Sequence, residues 1–346
     1  MLCVILDVVF LAKLLKKGKK TVTPSSVIPS QSSLETDESG NVITPPESDP
    51  SSMSSETAET SAEKAQTVDA ATRTANLTAL QTKIDEYLNK QSGRYSVYYI
   101  NMNNGETLGV KESQPIVAAS SIKIAYNTYL YEKAVAGELS LDEKMAYSAA
   151  AYPQGDYEGG TGNIQNSADG TEYTLQEVSH RSITLSDNCG TNMVLRKLGG
   201  EDNVNNNYLK TISCVVDYRA KVEYTDYKGN GATGRRRTSA IDLAKYAEHL
   251  YKDYKGNESG FQPLIDDLCN TEYNWGVPGG VTGTAKVAHK VGFNESYGTY
   301  NDVGIVFGTE DYVLCVMTES GDGNKAKEII GEVSKMVYEY VESNYA

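Results

Sequence analysis

No aromatic residue occurs between Leu11 and Glu86, and all 25 tyrosines and the single tryptophan, Trp275, lie beyond that gap. The chain of 346 residues therefore cannot be one uniform folded body. Residues 21–66 hold eighteen Ser or Thr and five of the nine prolines. Such a stretch cannot bury enough apolar surface to offset its ordering entropy, so it reads as a disordered linker. It separates residues 1–20 from residues 67–346, the part able to build a substantial core.

Residues 1–20 read MLCVILDVVFLAKLLKKGKK. The apolar run is short against the roughly 20 residues of a membrane span, and Asp7 interrupts it. Its positive charge, Lys16, Lys17, Lys19 and Lys20, follows the apolar run, whereas a signal peptide places it first. Taken alone, those lysines hold their side of the segment in the cytoplasm. The expectation is an N-terminal anchor or signal remnant whose true start precedes Met1; the alternative is an amphipathic helix that only touches a surface.

Net charge is −14, and the globular part alone, with 37 acids and 26 bases, carries −11. Nonspecific nucleic-acid binding, which needs a basic footprint, is excluded. There are three histidines, His180, His249 and His289, and five cysteines without a CxxC. A His-based triad or His-rich metal site has little material, so no metal and no cofactor is expected. One disulfide among Cys214, Cys269 and Cys315 is possible and none is required.

Periodicity places helices at Ala70–Gln91, Ser120–Ala136, Thr174–Ile183, Asn188–Leu198, Thr238–Tyr251 and Lys325–Tyr340. Strands are expected at Arg94–Met102, turning through Asn103-Asn104-Gly105 into Thr107–Val110, and at Lys286–Lys290, Asp302–Phe307 and Tyr312–Thr318. This order predicts an α+β fold: an antiparallel sheet covered by helices from the chain ends, with an inserted all-α lobe.

Ser120-Ser121-Ile122-Lys123 places a serine and a lysine three apart, on one helix face. A neutral lysine there accepts the hydroxyl proton, while the helix N-terminus favours the developing charge. The motif alone is weak, since Ser61-Ala62-Glu63-Lys64 in the linker matches it too, and Ser120 could equally be an N-cap. Two further elements follow: Ser186-Asp187-Asn188 between helical segments, and Lys290-Val291-Gly292 on a strand.

In this order and with this flanking text, AASSIK, ITLSDN and AHKVG followed by GTYND, the chain resembles the penicillin-recognising serine hydrolases, most closely the class A β-lactamases. The resemblance spans Ala70 to the C-terminus. It implies that Ser120 is the acylated nucleophile and that Lys123 helps deprotonate it. It implies that Ser186 shuttles a proton to the leaving nitrogen beside the positive Lys290, and that Asn188 binds the substrate's side-chain amide. The N–H groups of Ser120 and Phe293 would form an oxyanion hole next to Gly292.

Three departures accompany the resemblance. Val291 stands where the family has Thr or Ser, removing a hydroxyl worth about 0.5–3 kcal/mol to a substrate carboxylate. Tyr300 stands where a Thr or Arg is expected. The family's water-activating Glu, followed four residues on by Asn, has Glu223 as its candidate here, followed by Tyr227; the plain reading of Glu223 is a solvated loop carboxylate.

The plain readings of other residues are a packed His289, a small buried Cys189, a solvated run at Arg235, Arg236 and Arg237, and a rim loop at Gly159–Gly162. The leading expectation is a monomeric hydrolase that opens a β-lactam amide. The alternatives are a D,D-peptidase-like penicillin-binding enzyme acting on peptidoglycan peptides, or a sensing module that acylates without turnover. Family and stalk together imply the outer side of a bacterial membrane or secretion, with membrane contact through the N-terminal segment only.

Overall fold

Strand β1 (Arg94–Asn101) alternates: Tyr95, Val97 and Tyr99 join one apolar cluster, and Ile100 joins another on the opposite face. The sheet therefore has to be covered on both sides. The computed structural model of the chain describes residues 68–345, so the expected anchor at 1–20 and linker at 21–66 lie outside the described residues.

Four further strands complete the sheet: β2 (Thr107–Val110), β3 (Lys286–Asn294), β4 (Thr299–Phe307) and β5 (Tyr312–Glu319). Their order is β2-β1-β5-β4-β3, every pairing antiparallel. The β1–β2 turn forms as its residues dictate. Asn101 Oδ1 accepts from the N–H groups of Asn103 and Asn104, and Gly105 takes a φ of +79°. Central strand β5 is buried at all eight positions. Truncating Leu314 there to alanine costs about 2–5 kcal/mol.

Seven principal helices surround the sheet: α1 (Ala70–Asn89), α2 (Lys123–Val135), α3 (Leu175–Thr184), α4 (Asn188–Lys197), α5 (Ala240–Gly256), α6 (Glu258–Cys269) and α7 (Gly323–Ser343). Helices α1 and α7, from the two ends of the described chain, cover one face. Leu80, Ile84 and Leu88 meet Ile329, Val333 and Val337 over Val97, Tyr99 and Leu314. Helices α2 to α6, inserted between β2 and β3, build the lobe on the other face around Ile124, Leu130, Val178, Met193, Leu243 and Leu264. This is the expected α+β arrangement. Among the described residues, no helix is long and apolar enough to cross a membrane.

Helix caps follow side-chain chemistry. Asp69 caps α1, Thr174 and Glu177 form a reciprocal capping box on α3, and Ser239 accepts from Asp242 N at the start of α5. Helix α6 lies where no element was expected, and it carries Pro263 in its second turn, a residue that disfavours helix. Burial of Phe261, Leu264, Ile265 and Leu268 holds the helix together across it. The four described cysteines, Cys189, Cys214, Cys269 and Cys315, are free.

Candidate active site

The turn that presents Ser120 is anchored from the sheet. Asn301, on β4, donates through Nδ2 to the carbonyls of Val117 and Ala118, at 2.8 and 3.1 Å. From there Ala119 enters the left-handed region at φ +48°, and a 3-10 turn, Ala119–Ile122, leads into α2. Ser120 is therefore not an N-cap, and the expected helix from Ser120 begins as a 3-10 turn that runs on into α2. Strand β3 passes so close that a Cβ on Gly292 would lie 2.5 Å from Ala118 O and Ser121 N. Only glycine fits there without displacing the turn that carries Ser120.

Ser120 and Lys123 line one cleft of about 430 Å³. Lys123 is 5% exposed, and its Nζ donates to Ser186 O at 2.7 Å, Asn188 Oδ1 at 2.9 Å and Ser186 Oγ at 3.3 Å. Burial pushes its pKa down to about 7, against the opposing pull of Asp187 and Glu158. Three acceptors match the three hydrogens of the ammonium. Loss of one near neutrality frees a lone pair for the neighbouring serine. Ser120 Oγ itself makes no hydrogen bond among the described residues.

Lys290, on β3, is fully buried and donates to the same Ser186 Oγ at 3.1 Å. Burial, and then the charge of Lys123, hold its pKa well below the ordinary lysine value. One hydroxyl thus links two lysines. Ser186 holds a left-handed φ of +53°, a strain of about 1–3 kcal/mol that neighbouring contacts sustain. Asp187 fixes it by capping α4 through Gly190 N, at 2.8 Å, and accepting from Asn163 N and Ile164 N at 2.6 and 2.8 Å. At Gly162 a Cβ would fall 2.2 Å from Asp187 Cγ, so the rim loop and this segment interlock. Asn188 Nδ2 reaches Gly159 O at 3.1 Å.

The structure brings Ser120, Lys123, Ser186, Asn188, Lys290, Gly292 and Phe293 together. It does not bring Glu223 there. Glu223 pairs with Thr233 in a small hairpin, exposed, and does not line the cleft. Alternating strand geometry turns its side chain to solvent while Tyr224 packs beneath Arg237. The carboxylates that do line the cleft are Glu158 and Glu201. Glu201 is neutralised by Arg219 and by Arg236, the latter at 3.2 Å. Among the described residues, the Glu158 carboxylate accepts only the amide of Asn192, at 3.1 Å. Its loop is pinned because buried Asp156 accepts from Arg196 Nε at 2.9 Å. The usable sequence signal was Asn192, four residues after Asn188 and so on the same helix face.

Arg235 and Arg236 are exposed, as expected of a solvated run, but Arg237 is not. Arg237 is 1% exposed, stacked on the Tyr224 ring and near Glu319. Arg236, at φ +56°, lines the cleft. His289 is packed, as expected, with Nδ1 2.9 Å from Asp302 Oδ2. Val291 is buried. Beside it Phe293 stacks on Tyr300, ring centroids 6.3 Å apart, where an arginine was sought.

The model of the β-lactamase enzyme family matches residues 79–341. Over 262 residues the chain is 24% identical to a β-lactamase of Streptomyces albus G, covering 73% of this chain and 82% of that one. It is 23% identical to β-lactamase SME-1 of Serratia marcescens over 267 residues, 72% and 85% of the two chains. Among solved structures, PBP-A superposes with a TM-score of 0.65 at 26% identity, covering 77% of this chain and 97% of that one. The chain belongs to the β-lactamase enzyme family, as a class A β-lactamase-like enzyme.

Proposed function

We propose that this protein is a serine hydrolase that opens β-lactam amides, or the related amides of cell-wall peptides, through an acyl-enzyme on Ser120. The observation that carries the reading is the Lys123–Ser186–Lys290 hydrogen-bond chain beside Ser120, with burial bringing the pKa of the first lysine down to about 7. Lys123 takes the Ser120 proton as Oγ attacks the carbonyl. Ser186, its hydroxyl polarised by Lys290, passes a proton to the leaving nitrogen. The N–H groups of Ser120 and Phe293 receive the oxyanion. Asn188 holds the substrate's side-chain amide.

For release, Glu158 is the carboxylate best suited to polarise a water, because it lines the cleft and, among the described residues, forms no direct ion pair. A variant of the structural relative PBP-A is described as an acyl-enzyme complex with penicillin G, which supports the covalent step. The valine and the Phe293–Tyr300 stack at the carboxylate side favour slower handling of carboxylate-bearing lactams. A penicillin-binding, slowly released acyl-enzyme is therefore the second reading. We further propose that the domain works as a monomer outside the cytoplasm, tethered through its N-terminal segment.

The test mixes purified protein with a chromogenic lactam and follows hydrolysis and intact mass together, with Ser120→Ala as control. Sustained hydrolysis that vanishes in the control supports the hydrolase. A single stable adduct supports the second reading. Neither adduct nor turnover would remove lactams as substrates.

A further inference from the structure

Away from the cleft, α2 and α5 are joined by three side chains with metal-ligating atoms. Glu132 lies toward the far end of α2 from Lys123, and His249 and Asp253 stand four apart on one face of α5. His249 Nε2 is 2.9 Å from Glu132 Oε1 and 3.6 Å from Asp253 Oδ2. One ligand atom from each group lies within 4.8 Å of the other two. None of the three lines the cleft.

These separations have the right size for an ion. A tetrahedral Zn²⁺ with N and O ligands at about 2.0–2.1 Å sets neighbouring ligand atoms roughly 3.3 Å apart. The distances of 2.9 and 3.6 Å straddle that value.

Hydrogen bonding satisfies Glu132 better than it satisfies Asp253. His249 Nε2 carries at most one hydrogen, and Glu132 Oε1 is its nearer acceptor. Tyr208 Oη donates to that same oxygen at 2.6 Å. Asp253 Oδ2 is buried with no hydrogen-bond partner. Neighbouring cations are engaged elsewhere: Lys252 with Glu248 at 2.9 Å, and Lys133 with Glu138 at 2.6 Å. Two carboxylates thus press on one imidazole with an orphaned oxygen between them. One side is walled by Tyr208, stacked on Tyr129 at 4.3 Å. The three side chains keep 27–36% of their exposure, which leaves an entry path and room for a water.

We propose that Glu132 Oε1, His249 Nε2 and Asp253 Oδ2 bind one divalent transition-metal ion of the Zn²⁺ type, with a fourth position open to water. The imidazole ligates as the neutral form with its hydrogen on Nδ1, so binding displaces the Nε2 hydrogen from Glu132. The ion ties the far end of the helix that follows Ser120 to α5.

The test uses the full chain, stripped with chelator and titrated with ZnCl₂ by calorimetry, then with CoCl₂ by visible absorption. The expected result is one Zn²⁺ per chain and a raised melting temperature. Affinity should fall at least about 100-fold in His249→Ala and Asp253→Asn, and stay unchanged in His180→Ala and Cys214→Ala. Co²⁺ should give the intense visible bands of a four-coordinate N/O site in the unmutated chain. That reading stands even where a variant fails to fold. No Zn²⁺ bound by the unmutated chain, equal binding in the folded site variants, or no such Co²⁺ bands would each overturn the proposal.

Discussion

Lys290 Nζ and Lys123 Nζ meet on a single atom, Ser186 Oγ, at 3.1 and 3.3 Å. A hydroxyl so placed accepts from one lysine while handing its own proton onward. Ser186→Ala should slow acylation by about 10²–10⁴-fold, the range of one general acid–base group, while Ser120 remains acylable. Stopped-flow acylation by a chromogenic lactam measures it; an unchanged rate would remove Ser186 from the proton path.

Lys123 must be neutral to accept a proton, and burial brings its pKa to about 7. Acylation should therefore rise with pH through about 7 and level off above it. In Lys123→Arg, where the cation cannot lose its charge, the rise should vanish and the rate fall. A profile of the acylation rate constant from pH 5.5 to 9 decides this.

Glu158→Gln should lengthen the acyl-enzyme lifetime by about 10²-fold or more, the lower range for loss of a general base. Glu223→Gln, out on its exposed hairpin, should leave it unchanged. Mass spectrometry of the adduct against time reads both. Equal lifetimes in Glu158→Gln and the unmutated protein would mean that water is activated by another group.

Gly292→Ala should destabilise the fold by about 1–3 kcal/mol, because the new methyl meets backbone atoms of Ala118 and Ser121. Backbone cannot yield as a flexible side chain does, so acylation should fall with stability. Denaturant unfolding and the acylation rate are the two readouts.

Much of this was readable in the residues. The sheet strands and most helices declare themselves by alternation and by 3.6-residue spacing, and the lysines and serines of the cleft stand in recognisable text. What was not readable depends on contacts remote in sequence. Arg237 looks like one of three surface arginines until Tyr224 and Glu319 are brought around it. Glu158 looks like a loop acid until Arg196 pins Asp156 and Asn192 turns to meet it. Glu223 had the right distance along the chain, but its hairpin turns it to water.

Asn301 and Tyr300 are neighbours on one strand and so face opposite sides of the sheet. The first holds the carbonyls beneath Ser120; the second packs outside the cleft, against Trp275 and against Phe293, which lines the cleft. Mutational drift at position 300 therefore reaches the cleft only through Phe293, and it can reshape that wall without loosening the seat of Ser120. A lineage built on this strand is free to change its diet while keeping its chemistry.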